Sequence, residues 1–308
     1  IPAAGAGSRL GYHLPKVLYP LLDRPILEWV VDAVRTTVSN FIFVLSPEGK
    51  VLVEPLLEKL LGEKADIVVQ EKPTGMGDAV LLAEEKVQTP NCLIVWGDQV
   101  MLNAHTVEVC ATLHEAYPVA NLTLPTVIKC KPYIHIERNT ELKIKRVLQY
   151  RENEINFEFG ESDCGLFLFS TNILFKTLRE ARNDPSSIGM STGEFNLLQT
   201  LSHFETNPGS VKTVRIDDEL ECLGVNTPEE AKYAENELVN LSILDWKARK
   251  DMSKWLGKTK YTLAEYDKVK RFSFYLGDDY LLLVSTEKDA DTDFIVEQVI
   301  KLYYEHQE

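Results

Sequence analysis

No apolar run in these 308 residues approaches the ~20 that cross a bilayer, and no basic-then-apolar segment opens the chain. Cysteine is scarce. The five present (Cys92, Cys110, Cys130, Cys164 and Cys222) are odd in number and form no C-x-x-C pair. That spacing argues against a disulfide framework and against a zinc site, and favours free thiols in a reducing compartment. Basic charge is also short: 33 Lys and Arg stand against 47 Asp and Glu, a formal net charge of −14. A surface of that sign is a poor match for nucleic acid or anionic membrane. Internal repeats and low-complexity tracts are missing too, which sets aside solenoids and linkers. What remains is 44% hydrophobic and 26% charged, the composition of an ordinary folded protein, expected to be cytoplasmic and soluble. At ~150 residues per domain the length suggests two domains. An acidic protein that handles anions must gather its positive charge in one place, and the sequence has one such place.

Apolar runs of β type alternate with helical spacings along the first half. Phe41 to Leu45, Ile67 to Gln70, Cys92 to Trp96 and Leu122 to Ile128 read as strands; Ile26 to Val38, Val51 to Leu61, Gly77 to Val87 and Thr106 to Tyr117 read as amphipathic helices. Strands that are almost continuously apolar predict an α/β fold, a Rossmann-like, mostly parallel sheet with helices on both faces. Further on, Leu142 to Tyr150, Gly165 to Ser170 and Val211 to Ile216 read as strands, and Asn172 to Arg182 and Glu194 to His203 as helices. Thr227 and Pro228 form a helix start running to Leu241. A charge-rich stretch from Trp246 to Lys270 precedes a hairpin signal around Leu-Gly-Asp-Asp and a closing helix, Asp291 to Tyr304. This divides the chain at about residue 243 into a first domain, 1–242, and a small α+β unit, 243–308. The opening Ile1-Pro2-Ala3-Ala4 reads as the end of a buried strand whose earlier residues are expected upstream of residue 1.

The densest chemistry follows that strand: Gly5-Ala6-Gly7-Ser8-Arg9-Leu10, then Pro15-Lys16. Glycines after a buried strand let backbone N–H groups close on a ligand, and Arg9, Lys16 and the Ser8 hydroxyl add donors suited to polyphosphate. A plain strand-to-helix turn with two exposed bases is the alternative. The loop is neither a Walker-type loop, since Lys16 is followed by valine, nor a dinucleotide fingerprint, since Leu10 stands where a third glycine is needed.

Ala3 to Leu10, Pro15-Lys16 and the Pro25-Ile26-Leu27 helix start together resemble the sugar-1-phosphate nucleotidyltransferases, within them the uridylyltransferase domain of N-acetylglucosamine-1-phosphate uridylyltransferase, over about residues 1 to 240. The resemblance implies roles. Arg9 and Lys16 act on the phosphates as the catalytic cations, and Ala3, Ala4, Gly5, Ala6, Gly7 and Ser8 cradle the nucleotide. Gln70, Gly75 and Met76 contact the base; Met76 replaces the family's usual threonine. Asp98, at the end of an apolar strand, and Asn226, in Gly-Val-Asn-Thr, hold Mg²⁺. Glu161, Asp163, Glu194 and His135 line the sugar pocket; Asp163 replaces an asparagine, and Pro132 to Ile136 lacks the family's glycines. These departures leave hexose and N-acetylhexosamine 1-phosphates both open.

The implied reaction is NTP, with UTP the expected nucleotide, plus sugar 1-phosphate to NDP-sugar and pyrophosphate, by in-line attack on the α-phosphorus. A cytidylyl- or thymidylyltransferase, one acting on a substrate such as phosphocholine, and a non-catalytic nucleotide-sugar sensor are the competing readings. The partners implied are the two substrates, with neither nucleic acid nor membrane. Residues 243–308 lack the hexapeptide period of an acetyltransferase, so no acetyl transfer is expected of them; packing on the first domain, self-association as a homo-oligomer and binding of a regulator are the roles left open.

Overall fold

The computed structural model describes residues 1–5, 7–155, 158–241, 261–265, 269–275 and 281–305. The chain separates into two compact units, Ile1–Glu235 and Asn236–Glu308. The boundary expected near residue 243 lies outside the described residues.

In the first unit the strands are β1 (Pro20–Leu21), β2 (Arg24–Pro25), β3 (Phe41–Leu45), β4 (Ala65–Val69), β5 (Asn91–Val95), β6 (Leu122–Cys130), β7 (Ile134–Arg138), β8 (Ile144–Gln149), β9 (Phe159–Asp163), β10 (Leu166–Ser170) and β11 (Val211–Arg215). Its helices are α1 (Ile26–Val34), α2 (Pro47–Leu61), α3 (Met76–Leu82), α4 (Ala104–Ala116) and α5 (Thr171–Ala181), and α6, over 228–241, starts in this unit and runs past its end at Glu235. The α/β class holds, with the structure of a mixed sheet. Ile1–Ala3 run beside β3, where Ala3 N–H donates to the Val44 carbonyl at 2.8 Å, and β3 pairs in parallel with β4. Strand β11 is likewise parallel to β6, but β10 runs antiparallel between β5 and β6, and β9 antiparallel on the far part of β6. Strands β9 and β10 run in the same direction along β6 and form one strand interrupted at Cys164-Gly165, where Gly165 adopts φ +67.

Continuous apolar strands are buried on both sides, as Leu166 to Phe169 show. Phe167, Phe169 and Phe204 are fully buried with Leu122, Leu124, Leu174 and Leu178 in the core between the sheet, α5 and the 3₁₀ segment Leu197–Phe204. That segment was expected to be an α-helix from 194; Asn196 caps it through Leu198 N–H and Phe195 is committed to an adjacent loop. Helix α1 buries Ile26, Leu27, Val30, Val31 and Val34, the three-and-four spacing of one apolar stripe.

The second unit contains β12 (Tyr261–Glu265), β13 (Val269–Tyr275), β14 (Leu281–Glu287) and α7 (Thr292–Glu305). The strands form an antiparallel meander with Phe272 and Phe274 buried. The expected hairpin is present as β13–β14; its Leu-Gly-Asp-Asp turn lies outside the described residues. Strand β12 falls in the charge-rich stretch Trp246 to Lys270, for which no element was expected.

Candidate functional site

A cleft of about 560 Å³ opens at the carboxyl ends of the Ile1–Ala3 segment, β4 and β5, a volume in the range of small-molecule sites. The glycine loop forms one wall. Gly7 has φ +61, and a Cβ there would lie 2.6 Å from the Cβ of Lys16. Glycine is therefore required twice, for backbone hand and for the lysine stem that crosses it. Leu10 N–H closes the turn on the Gly7 carbonyl at 3.0 Å, and buried Leu10 and Val17 anchor the 3₁₀ turns that carry Arg9 and Lys16. Ala3, Ala4, Gly5, Gly7, Arg9 and Lys16 all line the cleft. Ala6 lies outside the described residues, and Ser8 contributes its backbone to the turn.

Three residues far apart in sequence meet here. Lys16 Nζ donates to Asp98 Oδ2 at 2.6 Å and to Asn226 Oδ1 at 3.0 Å, and Arg9 Nη2 donates to the same Asn226 oxygen at 3.3 Å. Backbone bonds hold the two loops together: Val225 N–H donates to the Asp98 carbonyl at 3.1 Å, and Gln99 bridges Gly224. Asn226 Nδ2 donates to the Gly224 carbonyl at 3.3 Å, which turns Oδ1 toward the cations. Thr227 and Glu230 then form a capping box at the start of α6, in which Glu230 accepts from the Asn226 and Thr227 amides at 2.7 and 3.0 Å.

The opposite wall is the loop after β4. Gln70 takes its place through its amide bond to the Leu45 carbonyl, and its side chain donates to the Gly75 carbonyl at 3.1 Å. Gly75, at φ +117, has no room for a Cβ against the backbone of Phe195. Met76 opens α3 beside it. Gln70, Gly75 and Met76 all face the cleft, as does Glu194, one residue from Phe195.

The third wall differs from expectation. Asp163 lines the cleft with Oδ2 accepting from Gly165 N–H at 2.8 Å, while its buried Oδ1 has no hydrogen-bond partner among the described residues. Burial pushes its carboxyl up to about 6, against the pull of the Gly165 amide and the nearby Lys129 charge. Glu161 does not join it. The Glu161 carboxylate turns to Arg138, which grips it with two bonds of 2.7 and 2.6 Å, while Ser162 and Asp163 line the cleft at the end of β9. On β7, Ile134 faces the cleft and the next residue, His135, packs over Gly160 instead. In their places stand residues the sequence reading passed over. Lys129 Nζ lies 3.3 Å from Cys222 Sγ, and Arg151 donates from Nε to Gln149 Oε1 at 3.2 Å and pairs with Glu194 at 3.2 Å. Gln99, Tyr133 and Glu230 complete the lining. Position at the end of a predicted strand was the available signal for Gln149 and Arg151.

Chemically, the cleft places two cations and backbone amides beside a carboxylate–amide oxygen pair, with amide and carboxyl groups on the facing walls. That suits a ligand with phosphate at one end and hydrogen-bonding groups at the other.

Residues 1–150 match the MobA-like NTP transferase domain, and they carry the glycine loop, Gln70, Gly75 and Asp98. The fold is that of the nucleotidyltransferases that make nucleotide sugars, and the chain resembles that family. In particular, it is 29% identical over 248 residues to the bifunctional protein GlmU of Thermotoga maritima, covering 77% of this chain and 50% of that protein. The corresponding figures for the protein of the same name in Exiguobacterium are 29% over 225 residues, 68% and 49%. The chain thus spans about half the length of the curated relatives it matches. Among solved structures it superimposes on a Bacillus anthracis protein named as a glucose-1-phosphate thymidylyltransferase, in complex with sucrose, at TM-score 0.59, with 16% identity over 76% of this chain and 92% of that one. HddC of Yersinia pseudotuberculosis, complexed with GMP-PN, follows at 0.54, with 15% identity over 77% and 97%. At these identities the likeness is one of fold. Among the described residues no helix is long and apolar enough to cross a membrane.

Proposed function

We propose that this protein transfers a nucleotidyl group from UTP to a hexose or N-acetylhexosamine 1-phosphate, releasing pyrophosphate. The observation that carries the reading is the convergence of Lys16, Asp98 and Asn226 at the mouth of the glycine loop, opposite Gln70 and Gly75. The glycine loop and Arg9 bind the departing β and γ phosphates. Lys16 holds the α-phosphate against the attacking phosphate oxygen. That oxygen is already ionised, so no general base is needed, and the chain's task is alignment and charge neutralisation. Gln70 reads the base edge, and Asp163 and Glu194 receive sugar hydroxyls.

Mg²⁺ fits the Asp98–Asn226 pair. Both oxygens already converge on one cation, the Lys16 ammonium, and a hard divalent ion uses a few carboxylate and amide oxygens, completing its shell with phosphates and water. Among the described residues no cluster of three or more His, Cys, Asp or Glu competes with this pair. When bound there, the ion supplies charge neutralisation between the two anionic reactants.

The test is pyrophosphate release across a panel of nucleoside triphosphates and sugar 1-phosphates. UTP with a hexose or N-acetylhexosamine 1-phosphate is the expected pair, and Lys16→Ala or Asp98→Ala should lower kcat/KM by about 10²-fold or more. Preference for CTP overturns the Gln70 assignment; nucleotide-sugar binding without turnover by any pair overturns the enzyme reading. The five free thiols fit a cytoplasmic setting.

A further inference from the structure

We infer that the Lys16 ammonium is the resident cation of the Asp98–Asn226 oxygen pair in the substrate-free protein, and that a divalent metal enters the pair only after nucleotide phosphates have drawn Lys16 away. The inference rests on the reading above for the nature of metal and phosphate. It resolves a conflict within that reading, since one lysine cannot neutralise phosphate while bridging both metal oxygens.

The geometry makes the two cations exclusive. Nζ sits 2.6 Å from Asp98 Oδ2 and 3.0 Å from Asn226 Oδ1. A magnesium-sized ion takes such oxygens at ~2.0–2.1 Å, so ammonium and metal claim the same volume as well as the same charge. Lys16 and Asp98 are only 17% and 16% exposed, so solvent screens this competition weakly.

The oxygen pair does not depend on the lysine for its shape. The Val225–Asp98 backbone bond, the Gln99–Gly224 bridge and the Glu230 carboxylate on the Asn226 amide hold both loops. Removing Lys16 therefore leaves a formed site rather than a collapsed one. The lysine also has somewhere to go. Its stem lies against Gly7 in the glycine loop that lines the cleft, and its four-carbon chain lets Nζ exchange a carboxylate for a phosphate without moving the backbone. Nucleotide phosphates arriving on that loop thus act as the release signal. Nucleotide binding and metal affinity at Asp98 are linked, and the linkage is reciprocal.

The test is Mn²⁺ binding to the nucleotide-free full chain, followed by electron paramagnetic resonance, with circular dichroism and thermal unfolding reporting the fold. Wild type should show no Mn²⁺ site that Asp98→Asn abolishes. Lys16→Met should acquire one site, binding about tenfold or more tighter than wild type, and the double variant Lys16→Met/Asp98→Asn should lose it. Lys16→Arg, which keeps the charge, should behave as wild type. An Asp98-dependent site in the free wild-type protein overturns the inference, and this arm depends on no lysine variant folding. A folded Lys16→Met that binds no tighter than wild type, or whose gain survives Asp98→Asn, also overturns it. These readings are independent of turnover: absence of pyrophosphate release with every substrate pair would defeat the proposed function while leaving the Mn²⁺ comparison intact.

Discussion

The backbone of Phe195 stands where a Cβ on Gly75 would have to go, and the two segments are laced together on either side. Phe195 N–H donates to the Thr74 carbonyl at 3.0 Å, and Gly77 N–H donates to the Phe195 carbonyl at 3.0 Å. The loop assigned to the base and the segment bearing Glu194 are thus one mechanical piece. Gly75→Ala is expected to cost more than about 2 kcal/mol, because φ +117 and the Phe195 backbone both oppose a side chain. Thermal unfolding measures the loss. UTP affinity and sugar 1-phosphate KM should both worsen in this variant; a change in only one would argue that the segments act separately.

Gly7→Ala should act on Lys16 rather than on overall stability alone. The added methyl meets the Lys16 Cβ at 2.6 Å in a backbone hand that disfavours it. Turnover is expected to fall about tenfold or more, with the drop in kcat exceeding the rise in KM for sugar 1-phosphate.

Glu161→Ala separates a structural carboxylate from a substrate contact. Burial alone would push this carboxyl up, yet the two Arg138 bonds outweigh it and hold it below the ordinary range. Loss of the pair should lower stability by on the order of 1 kcal/mol, while KM for sugar 1-phosphate shifts less than about twofold. A large KM change with unaltered stability would return Glu161 to the sugar pocket.

Asp163 predicts a pH dependence of known sign. Its folded-state carboxyl, pushed up to about 6 by burial, keeps a proton that the unfolded chain releases near its ordinary 3.8. Stability therefore falls as pH rises from about 4 to 6 and levels off above that. Asp163→Asn keeps an acceptor for Gly165 and removes the titration, so it should exceed wild type by on the order of 3 kcal/mol at pH 7 and by little at pH 4. Urea unfolding at both pH values checks this; a constant difference would contradict it.

Glu230→Ala should cost about 1 kcal/mol through loss of the α6 cap. It should also raise the Mg²⁺ concentration for half-maximal turnover, because the same carboxylate holds the Asn226 amide at 2.7 Å. Unfolding and a metal titration of activity read the two effects separately.

Much of the first unit was legible because its elements announce themselves by apolar spacing. Strand β3 occupies the expected Phe41 to Leu45, and α1, α4, α5 and α6 lie where their stripes predict. The polar strands β7, β9 and β12 gave no such signal. Phe159-Gly-Glu-Ser-Asp reads as loop until Arg138 and the cleft satisfy its polar groups. For the same reason the pocket expected to hold Glu161 and His135 is lined instead by Lys129, Gln149 and Arg151: Arg138 takes the Glu161 carboxylate, and alternation along β7 turns His135 from the side that Ile134 faces.

The sequence by itself determined which groups are suited to phosphate: two glycines, two cations, a strand-end aspartate and a Gly-Val-Asn turn are local, and backbone stereochemistry and charge read them without a fold. Only the tertiary structure decided which of them meet. Lys16, Asp98 and Asn226 are 82 and 210 residues from contact along the chain, and sheet order with two backbone bonds places their polar atoms within 3.0 Å of the lysine. Burial, a property of the packed molecule alone, lifts Asp163 out of the ordinary carboxylate range. Arg138, brought alongside by β7, holds the Glu161 carboxylate away from the cleft that Ser162 and Asp163 line.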